Sequence, residues 1–330
     1  MCDARYSKGI VSALVLFVFT QCFVGDAEET FKDRIWLWCH VEGAHNIGQR
    51  HHHNYGFGDY KFTVSPLEAA SLLGIDNVFM VKYNIGPNPG PKPMDFPNYY
   101  ESRHFNSFKK VVWSVVGEGG RSSLKERKNA LKLMQLNTNV TGFVMDDFFS
   151  KRHRPLTPRQ LCELREEVSR TLPHLSDTKL WVVLYNTEVT NANFAARFVP
   201  WLKEVDGITL WFKNQASLTP DNMDKVLSTL EQHLSGFTNR PKVMLGCYAW
   251  RYLEKMHGNL TSFYMDNQLE FARQTLATNR IQGIVFLASC IADPEGPAGP
   301  GINAIKNWIS LNKDTAISAG SQPELSKVRE

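Results

Sequence analysis

Long apolar runs are nearly missing from this 330-residue chain. One stands near the N-terminus, and no other segment reaches the ~20 residues that a bilayer-spanning helix needs. An excess of one charge is missing too. The 37 Lys and Arg against 33 Asp and Glu leave a formal net charge of +4, which offers no concentrated basic face for nucleic acid. Cysteine is scarce. Of the six, Cys2 and Cys22 lie in the first segment, leaving Cys39, Cys162, Cys247 and Cys290. No Cys-x-x-Cys pair occurs, which excludes zinc-ribbon and thioredoxin-like chemistry. Four cysteines allow three disulfide pairings, and spacing does not choose among them. Phosphate-cradling signatures are also lacking: there is no Walker sequence, and the first strand leads into Glu42-Gly43-Ala44-His45-Asn46 instead of a Gly-rich turn.

What is present begins with a targeting pattern. Arg5 and Lys8 precede the apolar run from Ile10 to Phe19, and the small residues Gly25 and Ala27 follow. That order matches the charged, apolar and cleavage regions of a secretory signal. A short signal anchor is the alternative. Residues 1–27 are therefore expected to be removed, the mature chain to start near Glu28, and the protein to be secreted, periplasmic or extracellular. Phe19, Thr20 and Gln21 are too large for a lipoprotein cleavage box before Cys22. Asn139-Val140-Thr141 and Asn259-Leu260-Thr261 are glycosylation acceptor sequences, which suggest a glycoprotein.

Short, β-branched apolar runs recur along the rest: Ile35 to Cys39, Asn77 to Tyr83, Lys110 to Val116, Gly142 to Asp146, Lys179 to Tyr185, Gly207 to Phe212, Lys242 to Cys247 and Gln282 to Leu287. Most lack polar alternation, as parallel strands covered on both faces do. Helical patterns separate them. Ser65-Pro66-Leu67-Glu68, Thr157-Pro158-Arg159-Gln160 and Thr219-Pro220-Asp221 supply N-caps and first-turn prolines. Further helices are predicted over Ser122 to Leu136, Asn193 to Lys203, Ser262 to Thr278 and Ile302 to Leu311, with a short one over Tyr99 to Phe108. Eight such units predict an α/β fold, a (β/α)8 TIM barrel in a single domain over residues 28–313, with a flexible C-terminal tail at 314–330. A doubly wound open sheet is the alternative.

Active sites of such barrels lie at the C-terminal ends of the strands. Polar residues gather there: His40 and Glu42 after the first strand; Lys82, Tyr83 and Asn84 after the second; Glu118 after the third; Asp146 and Asp147 after the fourth. Tyr185, Asn186 and Glu188 follow the fifth strand, Trp211 and Lys213 the sixth, and Tyr248, Trp250 and Arg251 the seventh. Neighbouring side chains of a regular strand point to opposite faces, so only one of the two Asp should face the barrel mouth. Gly142, Val144 and Asp146 share one phase, and their small size suits a crowded interior, which favours Asp146.

Gly142-Phe143-Val144-Met145-Asp146-Asp147-Phe148 resembles the fourth-strand motif of several (β/α)8 glycoside hydrolase families. In the α-amylase-like group the position matching Asp146 is the nucleophile and a fifth-strand Glu is the acid, which would be Glu188. The pattern departs at Val144, where an Arg is expected, and no His-Asp pair follows strand seven. Leu245-Gly246-Cys247-Tyr248 also lacks the seventh-strand acid of another large group.

The resemblance implies hydrolysis of a glycosidic bond by two carboxyl groups, one holding a proton and one ionised. Asp146 is taken as the ionised group, Asp147 as its support or substitute, and Glu188 and Glu118 compete for the acid role. Tyr83, Tyr185, Tyr248, Trp211 and Trp250 offer stacking faces for a carbohydrate. His40, Glu42, Asn84, Asn186, Lys213 and Arg251 offer polar contacts, and Lys213 or Arg251 could meet an acidic sugar.

The expected partner is a carbohydrate, with no nucleic acid and no stable membrane insertion once the signal is removed. No cofactor is expected. No metal is expected either, because His51, His52 and His53 are adjacent in sequence and cannot all face one ion. Two further classes stay open: a non-catalytic carbohydrate-binding barrel, and a divalent-metal hydrolase or isomerase using His40, Glu42, Glu118 and Asp146.

Overall fold

A computed structural model of the chain describes residues 29–44, 46, 57, 59–81, 96–116, 122–149, 156–171, 179–250 and 260–317. Eight strands close into one parallel barrel in sequence order: β1 (Ile35–Cys39), β2 (Asn77–Met80), β3 (Lys110–Ser114), β4 (Val140–Met145), β5 (Lys179–Tyr185), β6 (Gly207–Trp211), β7 (Lys242–Tyr248) and β8 (Gly283–Leu287). β8 pairs back onto β1, with Ile35 opposite Ile284, so the fold is the (β/α)8 barrel and not an open sheet.

The helices on the outside are α1 (Pro66–Leu73), α2 (Phe96–Ser102), α3 (Leu124–Leu136), α4 (Pro158–Thr171), α5 (Asn186–Val189), α6 (Phe194–Arg197), α7 (Val199–Leu202), α8 (Pro220–Leu234), α9 (Ser262–Ala277) and α10 (Gly299–Asn312). The capping signals work as they read. Ser65 accepts from the Glu68 N–H at 3.3 Å while Glu68 accepts from the Ser65 N–H at 2.8 Å. Ser123 with Glu126 and Thr157 with Gln160 repeat the exchange.

The helix predicted over Asn193 to Lys203 is split in two. Pro200 supplies no N–H to continue the ladder of α6, and the backbone turns at Phe198 before α7 begins. α5 has no counterpart in the sequence reading: strand β5 turns directly into one helical turn.

The interior is filled by aromatic rings matched with glycines. Phe79 on β2 meets Trp181 on β5 at 5.7 Å, and Trp38 on β1 meets Trp211 on β6 at 5.2 Å. These strands are not neighbours, so the rings must meet through the barrel centre. The register then carries the same phase around the ring. Gly207 lies beside Trp181, and a methyl there would sit 2.2 Å from the indole. Gly142 and Val144 take the interior phase of β4, opposite Val112 and Ser114. The outer phase of β3 is apolar as well: Trp113 packs on Tyr100 and Phe105 from the α2 region.

The ends of the chain meet below the barrel. Ile317 donates its N–H to the Glu29 carbonyl at 2.9 Å, and Thr30 bridges Ala316 in antiparallel fashion. Ile317 is buried. The ordered fold therefore continues four residues past the boundary expected at 313. The proposed signal at 1–27 and the rest of the tail from 318 lie outside the described residues, as does Asn259.

Asn139, the other glycosylation acceptor, has its amide committed to the fold. Its nitrogen donates to the carbonyls of Phe105 (2.9 Å) and Phe108 (3.0 Å), and its oxygen accepts from the Tyr100 hydroxyl at 2.6 Å. A glycan on that nitrogen would remove one of the two donors.

Candidate active site

The C-terminal ends of β4, β5, β6 and β7 bring six of the singled-out residues into one cluster. β4 stops at Met145, and Asp147 adopts a left-handed backbone with φ of 47°. That geometry is uncommon outside glycine and mildly tolerated by Asp and Asn. It breaks the alternation on which the one-inward-carboxylate expectation rested. Asp147 Oδ1 accepts from the Tyr185 hydroxyl at 2.7 Å, while the Asp147 backbone N–H donates to Asp146 Oδ1 at 2.9 Å. Tyr185 shares the interior phase of β5 with Trp181, so both carboxylates gather at the barrel mouth.

The surroundings push several groups toward their uncharged forms. Asp146 keeps a partly exposed edge but is enclosed enough that burial, followed by the neighbouring Asp147 charge, raises its carboxyl well above the usual carboxylate range. Its bond from the Asp147 N–H and the Lys213 charge oppose this and do not win. This direction runs against the ionised role expected for Asp146. Glu188 is raised too, mainly by burial, although its Oε2 accepts the Tyr185 N–H at 2.9 Å. Tyr185 and Tyr248 are pushed well above the ordinary phenol range, by burial first and then by the neighbouring charges, so both remain O–H groups.

Lys213 completes the cluster. Its ammonium lies 3.6 Å from the centre of the Tyr185 ring, a close cation–π contact. Its backbone N–H donates to Asn186 Oδ1 at 2.9 Å. Asn186 is buried, so its carbonyl oxygen joins the ends of β5 and β6 instead of facing a ligand.

Other expected contacts are placed elsewhere by the packing. Trp211 is 2% exposed, held between Trp38 and Tyr248, with its indole N–H on Thr209 Oγ1 at 3.1 Å. Trp250 is 3% exposed and lies against Phe57 at 4.5 Å. Neither presents a free face to a sugar. Both are core residues: Trp211 is on the inner phase of β6 inside the barrel, and Trp250, just past β7, is covered by Phe57. Glu42 is turned toward the α2 region, paired with Arg103 and accepting from the Tyr99 hydroxyl at 2.7 Å. It is a structural ion pair and not part of the mouth.

His40 is buried at the end of β1, and burial pushes its imidazole down to about 3, so it stays neutral. Its backbone N–H donates to Ser289 Oγ at 3.0 Å. Among the described residues no three His, Cys, Asp or Glu converge as a metal site would require. Cys39, Cys162, Cys247 and Cys290 are all free thiols, the first and last two buried. Lys82, Tyr83, Asn84, Glu118, Arg251, His45 and His51 to His53 lie outside the described residues.

Fold and cluster together define the class: a (β/α)8 barrel with carboxyl groups at the C-terminal mouth. No family model matches the sequence. No curated protein matches it either. Among solved structures, the chain is similar to a GH18 chitinase from Pseudoalteromonas aurantia, with a TM-score of 0.51 and 14% identity over 83% of this chain and 99% of that one. It is also similar to a putative α-L-fucosidase from Bacteroides thetaiotaomicron, with a TM-score of 0.52 and 11% identity over 91% of this chain and 98% of that one. At these identities the likeness is one of fold.

Proposed function

We propose that the protein is a secreted glycoside hydrolase. The observation that carries this reading is the paired Asp146 and Asp147 at the mouth, with Asp146 favouring its protonated form and Asp147 held by a tyrosine hydroxyl. Two carboxyl groups in different protonation states are the minimum equipment for glycoside cleavage. In the proposed reaction the Asp146 acid gives its proton to the glycosidic oxygen as the bond to the anomeric carbon breaks. Asp147, as carboxylate, either attacks that carbon to form a glycosyl ester that a water then hydrolyses, or takes a proton from a water that attacks the carbon directly. The products are a free alcohol and a reducing sugar. Glu188, also raised and close enough to feel Asp147, is the second candidate donor.

The direct test is a screen of glycans and aryl glycosides with the wild type, Asp146→Asn and Asp147→Asn. Wild-type hydrolysis of at least one substrate is expected. Each variant should lose about 10²- to 10⁴-fold in kcat, the usual share of general acid–base catalysis. Equal turnover by all three proteins removes both residues from the chemistry. A wild type that cleaves nothing in a broad panel refutes the hydrolase reading.

A further inference from the structure

We infer that Tyr185 is a positioning residue that sets the geometry of the carboxyl groups through its hydroxyl, its N–H and its ring, and is not a stacking face for sugar. The inference rests on the hydrolase reading. Three contacts radiate from this one residue. The hydroxyl donates to Asp147 at 2.7 Å, the backbone N–H donates to Glu188 at 2.9 Å, and one ring face is taken by the Lys213 ammonium at 3.6 Å.

A stacking platform needs an open face, and the Tyr185 ring gives one of its faces to a cation. The adjacent residue reinforces the arrangement: Asn186 grips the Lys213 backbone at 2.9 Å and so delivers the lysine above the ring. The run Tyr185-Asn186-Thr187-Glu188 thus links groups from β4, β6 and α5 through one strand-to-helix turn. The immediate turn into α5 is what brings the Glu188 carboxylate back onto the Tyr185 N–H.

The Tyr185 hydroxyl faces Asp147 and Asp146, just after β4, and Tyr248 from β7, while Lys213 after β6 lies over the ring and Glu188 from α5 takes the backbone N–H. Because Tyr185 stays protonated, it remains a donor through the working pH range. A hydroxyl bond to a carboxylate is of the charge-assisted kind, stronger than a neutral one. Losing it lets the Asp147 side chain rotate away from its fixed position.

The test is Tyr185→Phe, which keeps the ring, the backbone donor and the lysine contact and deletes only the hydroxyl. On the best substrate of the screen, kcat should fall about 10- to 100-fold with KM nearly unchanged, as expected for a lost charge-assisted hydrogen bond acting on the reacting groups. A rise in KM with kcat intact would identify Tyr185 as a substrate contact and overturn the inference. A ligand-free measurement separates this from failure of the hydrolase reading. With 13C-labelled aspartate, the carboxyl resonance of Asp147 should move in Tyr185→Phe, and the Asp146 titration should shift with it by about half a pH unit or more. Unchanged resonances and titration overturn the positioning role whether or not any glycoside is cleaved.

Discussion

Asp146 is a group that the fold holds against its solution preference. Burial and the adjacent Asp147 raise its carboxyl, so the folded state binds the Asp146 proton more tightly than the unfolded chain does. The sign follows from linkage: this contribution to stability is full below the ordinary aspartate range and is lost as pH rises through the raised value. Asp146→Asn has nearly the shape of the protonated acid, keeps an oxygen for the Asp147 N–H, and cannot ionise. The variant should melt close to wild type near pH 4 and above it at pH 8, the gap widening by about 1.4 kcal/mol for each unit by which the carboxyl is raised. Melting curves at several pH values check this, and a gap that is the same at both ends would rule out the buried acid. Asn is also the right probe at 147, since it tolerates the left-handed backbone that Ala would find strained. The two acids were legible at the end of an apolar strand. Their joint orientation was not, because alternation assumes a regular strand and the strand ends at Met145.

At the scale of elements, the same strands show why their number could be read and their side chains could not. Continuous apolar runs and Ser or Thr caps are local signals, and each marks one element. The filling of the barrel is a relation between strands far apart in sequence. Trp211 reads as a rim aromatic on its own. Beside Gly246 it becomes core, because a methyl at Gly246 would sit 2.1 Å from the Trp211 indole. A four-residue helix such as α5 has no period to display, so the turn that holds Glu188 was invisible in the sequence as well. The Trp–Gly match makes an expectation that reaches no further than this layer. Gly246→Ala should destabilise the protein by about 1–3 kcal/mol, the usual cost of overpacking. Trp211→Phe shrinks the ring, so the double variant should lose less than the sum of the two single losses. Urea unfolding of the four proteins measures the coupling, and strict additivity would show that the indole does not press on Gly246.

For the molecule as a whole, the aromatic content of 12% serves the interior more than the mouth, with Trp36, Trp38, Phe79, Trp181 and Trp211 linked through the barrel centre. Closure of the ring is backed by closure of the chain. Phe31 donates its N–H to the Thr315 carbonyl at 3.0 Å, Lys32 to Lys313 at 2.9 Å, and Ile317 to Glu29 at 2.9 Å. Phe31 is buried against Trp308, and Arg34 pairs with Glu29 at 2.7 Å. Cleavage of the proposed signal near Glu28 would leave this clasp whole, since its first member is Glu29. The polar composition after Asn312 hid the clasp, because a single buried Ile carries its apolar part. Truncation after Lys313, compared with truncation after Ile317, isolates it. The shorter protein loses one buried Ile and three backbone hydrogen bonds (Phe31 to Thr315, Thr315 to Asn312 and Ile317 to Glu29), which together contribute about 3 kcal/mol. Its Tm should lie about 4 °C or more below that of the longer one. Because the clasp is remote from the barrel mouth, glycoside turnover well below Tm should match in the two. If the two truncations melt together, residues 314–317 add nothing to the fold.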